Sequence, residues 1–177
     1  NAGPNLILQR DSGSPADGDA IGRIDFDADN DAGEVTSFFS IRAEIEDASD
    51  GTEDGQMKID QMIAGTAVTA LRFKSSETVF NDDSKDVDFR VEGNGDANLL
   101  FVDAGNDKIG VGTNSPAKLL SLKKDGGGGA IGIDIHNQGT DAADDALITF
   151  ETQGHRNYSM GIDRSASSFV VMSEADG

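Results

Sequence analysis

The side chains best equipped for chemistry in this sequence are carboxylates. Asp25, Asp27, Asp29, Asp31 and Glu34 follow one another closely, and a calcium ion takes about six to eight such oxygen ligands. The spacing departs from an EF-hand loop, because Gly33 falls one place late and Phe38 stands where a bidentate Glu belongs. A solvated, self-repelling hairpin loop is the simpler account, and it serves equally for Asp47 to Gly55. The two histidines, His136 and His155, have no paired His spacing and no cysteine beside them, so they are expected on polar surface and not in a zinc site. Carboxylate pairs can hydrolyse glycosides, but an aromatic content of 6% cannot line a sugar-binding groove. Ser115 lacks a nearby His and any nucleophile-elbow pattern. Gly126 to Gly129 precede no Lys-Ser/Thr pair or helix, so they read as a turn and not as a phosphate cradle. The sequence therefore assigns no catalytic, cofactor-binding or metal-ligating residue, and the chain is expected not to be an enzyme.

The elements that carry these residues are poor in core-forming material. The 177 residues include 22 glycines, no Trp and one Tyr, with 36% hydrophobic content and a net charge of -19. A compact monomer of this length buries roughly two-thirds of its unfolded surface. Here the apolar residues come in short runs between Asp/Gly/Asn/Ser clusters, which suits an extended β protein that completes its core with other copies of itself. The acidity argues against nucleic acid, whose phosphates it would repel. No apolar run approaches the roughly 18 residues of a membrane span. The absence of cysteine excludes a disulfide framework. Because the first residue is Asn1 and not Met, a processed product or an internal segment is expected.

An internal repeat organises the chain. Leu6-Ile7-Leu8-Gln9-Arg10-Asp11 reads like Leu120-Ser121-Leu122-Lys123-Lys124-Asp125. Ala20-Ile21-Gly22 and Ile24-Asp25-Phe26 match Ala130-Ile131-Gly132 and Ile133-Asp134-Ile135. After an acidic loop, the alternating Phe39-Ile41-Ala43-Ile45 corresponds to the run from Leu147 to Phe150. Met57-Lys58-Ile59-Asp60 then matches Met160-Gly161-Ile162-Asp163, and Leu71-Arg72-Phe73 matches Phe169-Val170-Val171. The same order in both copies predicts two related β modules, residues 1–75 and 120–177, with a different segment at 76–119 between them. That segment alternates Val87-Asp88-Phe89-Arg90-Val91, Leu99-Leu100-Phe101-Val102 and Lys108-Ile109-Gly110-Val111-Gly112 with Gly/Asn/Asp turns, the signature of strands and hairpins. Residues 40–48 fit period 2 better than period 3.6, so they are expected as strand. The expected class is all-β.

Lys108 to Leu119, Lys-Ile-Gly-Val-Gly-Thr-Asn-Ser-Pro-Ala-Lys-Leu, resembles the VGIGT-x-SP-x-x-KL linker that recurs in tailed-phage tail fibres, tailspikes and related virion appendages. The stretch Asp88 to Asp103 is similar to the strand pair preceding that linker in marine phage structural proteins, and Gly22 to Thr66 is similar to modules found beside it. Together these cover most of the chain. The resemblance implies a shaft module of a fibre, a homotrimer located on the virion. It implies other virion structural proteins and a host surface receptor as partners, with no nucleic acid, no membrane insertion and no cofactor. Some members end in an intramolecular chaperone domain, and no such segment is recognisable here. Two alternatives are a receptor- or glycan-binding module of the fibre and a subunit of a bacterial extracellular filament.

Gly110, Gly112, Thr113 and Pro116 carry the linker pattern. If three chains wind about one axis, alternate positions face it with little room. Gly110 and Gly112 would then let the backbones approach while Ile109 and Val111 fill the core. Pro116, lacking a ladder donor, is expected to mark the end of the strand.

Overall fold

Short alternating runs bounded by turn residues give twelve strands in the computed structural model, which describes residues 3–124, 131–141, 143–151, 153–154 and 156–173. The chain divides into two compact units, residues 1–126 and 127–177.

In the first unit, β1 (Ala20–Asp29), β2 (Val35–Asp47), β3 (Asp54–Ile63), β4 (Thr66–Phe73) and β5 (Thr78–Phe80) form an antiparallel meander in sequence order. The span 40–48, where helix and strand competed, lies almost wholly in β2. The β3–β4 connection is a two-residue turn, with Ala64 and Gly65 both at positive φ (47° and 78°). That is the backbone twist a tight hairpin requires. The sheet runs past residue 75 to take in β5.

A second sheet of this unit has β6 (Phe89–Val91), β7 (Leu100–Asp103), β8 (Lys108–Val111) and β9 (Leu120–Leu122) in order. Its last pair is parallel. Leu120–Leu122, which opens the second copy of the repeat, therefore pairs with the linker strand before it. The two sheets meet where the Phe80 and Phe89 rings lie 4.8 Å apart. Val68 and Phe101 are the buried hydrophobic side chains of the described residues.

In the second unit, β10 (Ala146–Phe150), β11 (Tyr158–Asp163) and β12 (Ser168–Ser173) form an antiparallel sheet. Its register matches that of the first module. Met57 faces Phe73 and Ile59 faces Leu71, while Met160 faces Val171 and Ile162 faces Phe169. The residues aligned from sequence thus hold equivalent places. One element differs: Ile131 to Ile135, aligned with β1, form no strand. The described residues contain no helix, and the fold is all-β.

Candidate assembly surface

Register decides which side chains share a sheet face. Across β1 to β4, Gly22, Ala43, Met57 and Phe73 make one row, and Ile24, Ile41, Ile59 and Leu71 make the next. Phe26 and Phe39 continue this face, and Phe80 sits across from Leu71. Such a row should be core, yet Ile24, Phe26, Phe39, Ile41, Met57, Phe73 and Phe80 are all exposed. The second sheet repeats the arrangement, with Phe89, Val102, Ile109 and Leu120 in a row and Ile109 and Leu120 exposed. So does the third, where Ile162, Phe169, Met160 and Val171 are exposed in adjoining rows. Tyr158, the one tyrosine, stands in this sheet between Phe150 and Ser173 and not at a loop tip.

The opposite face of the first sheet is polar and its charges are paired within the chain, although the buried Arg42 Nε has no hydrogen-bond partner among the described residues. Arg23, Arg42, Lys58 and Arg72 stand directly across from one another on four strands, an arrangement of like charges that would be unfavourable alone. Carboxylates interleave with them. Buried Glu44 takes Arg42 at 2.9 Å, Lys58 at 2.8 Å and the Gln56 amide at 3.1 Å. Asp60 accepts from the Thr69 hydroxyl at 2.8 Å and the Ser40 hydroxyl at 3.3 Å. Arg72 reaches Asp82 at 3.1 Å and donates from Nε to Gln56 at 2.9 Å, and Arg23 pairs with Asp25. The network is neutralised within the chain, with little charge left to bind an ionic partner. Glu44→Ala leaves part-buried Lys58 without its carboxylate and should destabilise the chain by about 1–3 kcal/mol, the usual result of removing one partner of a charged hydrogen bond. A shift in the urea midpoint checks it, whereas Arg23→Gln, at an exposed pair, should cost about 1 kcal/mol or less.

The linker residues meet inside one chain. Gly110 is buried across from Phe101 and Ser121, and a Cβ there would run into the Thr113 carbonyl oxygen. A Cβ at Gly112 would run into the Lys123 carbonyl oxygen, and its φ of +72° is one that L side chains rarely adopt. The close approach that these glycines permit is therefore between β8, the turn after it and the β9 end of the same chain. Thr113 is buried, and its Oγ1 accepts the Ser115 N–H at 3.2 Å. Pro116 is also buried, but it does not end the strand. β8 stops at Val111 and the left-handed Gly112 turns the chain, so Pro116 falls within the turn leading to β9.

The acidic loops act as turn caps. Asn30 Oδ1 accepts the Ala32 and Glu34 N–H groups at 3.0 and 2.9 Å, closing the β1–β2 turn beside Asp31. The Ser49 hydroxyl and N–H hold the Asp47 carboxyl below its usual range. The Ser75 N–H, helped by Lys74, does the same for Glu46, and the Ser165 hydroxyl and Ala166 N–H for Asp163. The N–H groups of Glu53 and Gly51 lower Glu53 likewise. Among the described residues no group of three or more His, Asp or Glu gathers as metal ligands. His136 lies near Ile135, Asp144 and Arg164 at a shallow surface cleft. His155 and Gly126 to Gly129 lie outside the described residues.

The accessible surface is 12947 Å², well above that of a compact chain. A compact monomer of 18.5 kDa would expose about 8,200 Å², and two separately compact units about 9,700 Å². The excess of roughly 3,000 Å² or more comes from the open sheet faces together with extended segments such as residues 3–19, which carry no strand. No protein-family model, curated protein or solved structure matches this chain.

Proposed function

We propose that this chain is a structural module of a tailed-phage fibre or related virion appendage, working as a homotrimer whose core forms between copies. One observation carries the reading. All three sheets present a row of apolar side chains to solvent, while the charges on the first sheet's polar face pair within the chain. Soluble monomers rarely expose contiguous apolar patches beyond a few hundred Å², so these faces fit an assembled state better than a solitary one. The linker resemblance adds the setting: a shaft on the virion, joined to other structural proteins and holding a receptor-binding tip away from the particle.

The mechanism is mechanical. Strand ladders pair the sheet backbones within each chain, and apolar faces buried between chains supply the core that one copy lacks. The net charge of -19 keeps assembled shafts soluble and apart, at the cost of repulsion between copies. A bacterial surface filament would use the same faces, but the linker pattern favours the virion.

The test is the mass of the purified chain by light scattering or native mass spectrometry, at low and at physiological salt. Three chains, held more tightly as salt screens the repulsion, is the expected result. A folded single chain at both salts and at high concentration would overturn the reading.

A further inference from the structure

The two copies of the repeat each open on an alternating apolar segment, Leu6-Ile7-Leu8 and Leu120-Ser121-Leu122, and the structure treats them differently. The second is β9. It lies parallel to β8 with Ile109 across from Leu120, Gly110 from Ser121 and Val111 from Leu122. The Ile109 N–H donates to the Leu119 carbonyl at 2.8 Å and the Lys123 N–H to the Val111 carbonyl at 2.9 Å. The first has the same kind of sequence and no strand partner. Leu6, Ile7 and Leu8 are 79%, 75% and 46% exposed, and no backbone hydrogen bond to Leu6, Ile7, Leu8 or Gln9 forms among the described residues.

Yet the first segment is held in position on its own module. A Cβ built at Gly22 would come within 2.9 Å of Leu8 Cβ, so Leu8 packs against the backbone of β1. Arg10 fastens the next turn, with Nη1 3.1 Å from Asp19 and 3.3 Å from the Ala20 carbonyl. Each copy thus displays one half of a joint. Leu6–Leu8 shows how the segment seats on the module after it, and Leu120–Leu122 shows how it receives the strand before it.

We infer that Leu6–Leu8 is a β-augmentation site. Its occupant is a glycine-alternating strand of the Lys108–Gly112 type, delivered in cis through a turn like Gly112–Leu119. Backbone ladder bonds would give affinity. Glycine at alternate positions would give selectivity, because a side chain at Gly110 or Gly112 collides with backbone within the joint itself. Modules of this kind would then join head to tail through one parallel strand pair each.

The experiment extends the full chain by placing a second copy of residues 76–119 directly before Leu6, and follows amide hydrogen exchange residue by residue. Gln9 occupies the place of Lys123, so its N–H should slow by about tenfold or more, towards the rate of Lys123 in the same molecule. The same extension carrying Gly110→Val and Gly112→Val in the added copy should leave Gln9 fast. Unchanged exchange at Gln9 in the extended chain would overturn the inference, as would protection that survives the double Val variant. Protection in the unextended chain that grows with concentration would also overturn it, by assigning the strand to a second copy. The readout lies within one chain, so its failure is distinguishable from a failure of the trimer, which the mass measurement reads.

Discussion

Ile41→Asp is expected to reduce the proposed three-chain assembly to single chains while leaving the fold in place. Ile41 lies in the middle of the apolar face, between Ile24 on β1 and Ile59 on β3, and it is 36% exposed in the isolated chain. A carboxylate there can reach water when the chain is alone, so the cost to the monomer should stay near 1 kcal/mol. Once copies cover the face, the same carboxylate is buried without a partner, at about 3–5 kcal/mol per chain. Its counterparts on the other copies add repulsion. The association constant should fall by a hundredfold or more, read as a drop in mass with an unchanged far-UV spectrum. Arg23→Gln, on the opposite face and engaged in an exposed pair with Asp25, should leave the mass alone. An Ile41→Asp chain that still assembles as the parent does would show that this face is not the interface.

The second large effect is expected at Gly112. Alanine at a φ of +72° costs about 1–2 kcal/mol in the left-handed region alone. Its Cβ also meets the Lys123 carbonyl oxygen, a backbone atom that cannot swing aside. Relief means breaking the Lys123 N–H bond to Val111 or the Gly112 N–H bond to Asn98, both of which hold this sheet. A total loss of about 3 kcal/mol or more is expected, or roughly 6–12 °C in the unfolding midpoint for a chain of this size. Gly51 provides the contrast. Its φ is +87° but nothing lies within 4 Å of a Cβ there, so Gly51→Ala should cost only the left-handed penalty of about 1–2 kcal/mol. Equal midpoint shifts for the two variants would remove the argument from close approach.

The polar ladder of the first sheet was open to sequence reading and was missed. Arg23, Arg42, Lys58 and Arg72 each sit between apolar neighbours of a strand, so period-2 alternation already puts them on the face opposite Ile24, Ile41, Ile59 and Leu71. What alternation could not supply was Glu44 as the shared partner of Arg42 and Lys58, because that depends on the bulge-shifted β2–β3 register. The same limit explains Pro116. Its missing donor marked a break in extended structure, but the position of the break belonged to Gly112, whose φ follows from where β9 returns.

Strand and turn are local properties here, legible in alternating apolar residues and in Gly, Asn and Asp clusters. The repeat was legible as well, because equal patterns impose equal registers: Met57 and Met160 face Phe73 and Val171 at equivalent places. Pairing between distant segments was decided only in three dimensions. The sequence assigned Leu120–Leu122 to the module that follows, and the structure pairs it with the linker strand before it. The glycines expected to bring three chains together bring β8, its turn and the β9 end together within one. The apolar faces, which alternation marks as core, stand open to solvent. Alternation says that one face of a strand is apolar and the other polar. Whether that face is covered depends on what packs against it, and such contacts join residues far apart in the chain or on different copies of it.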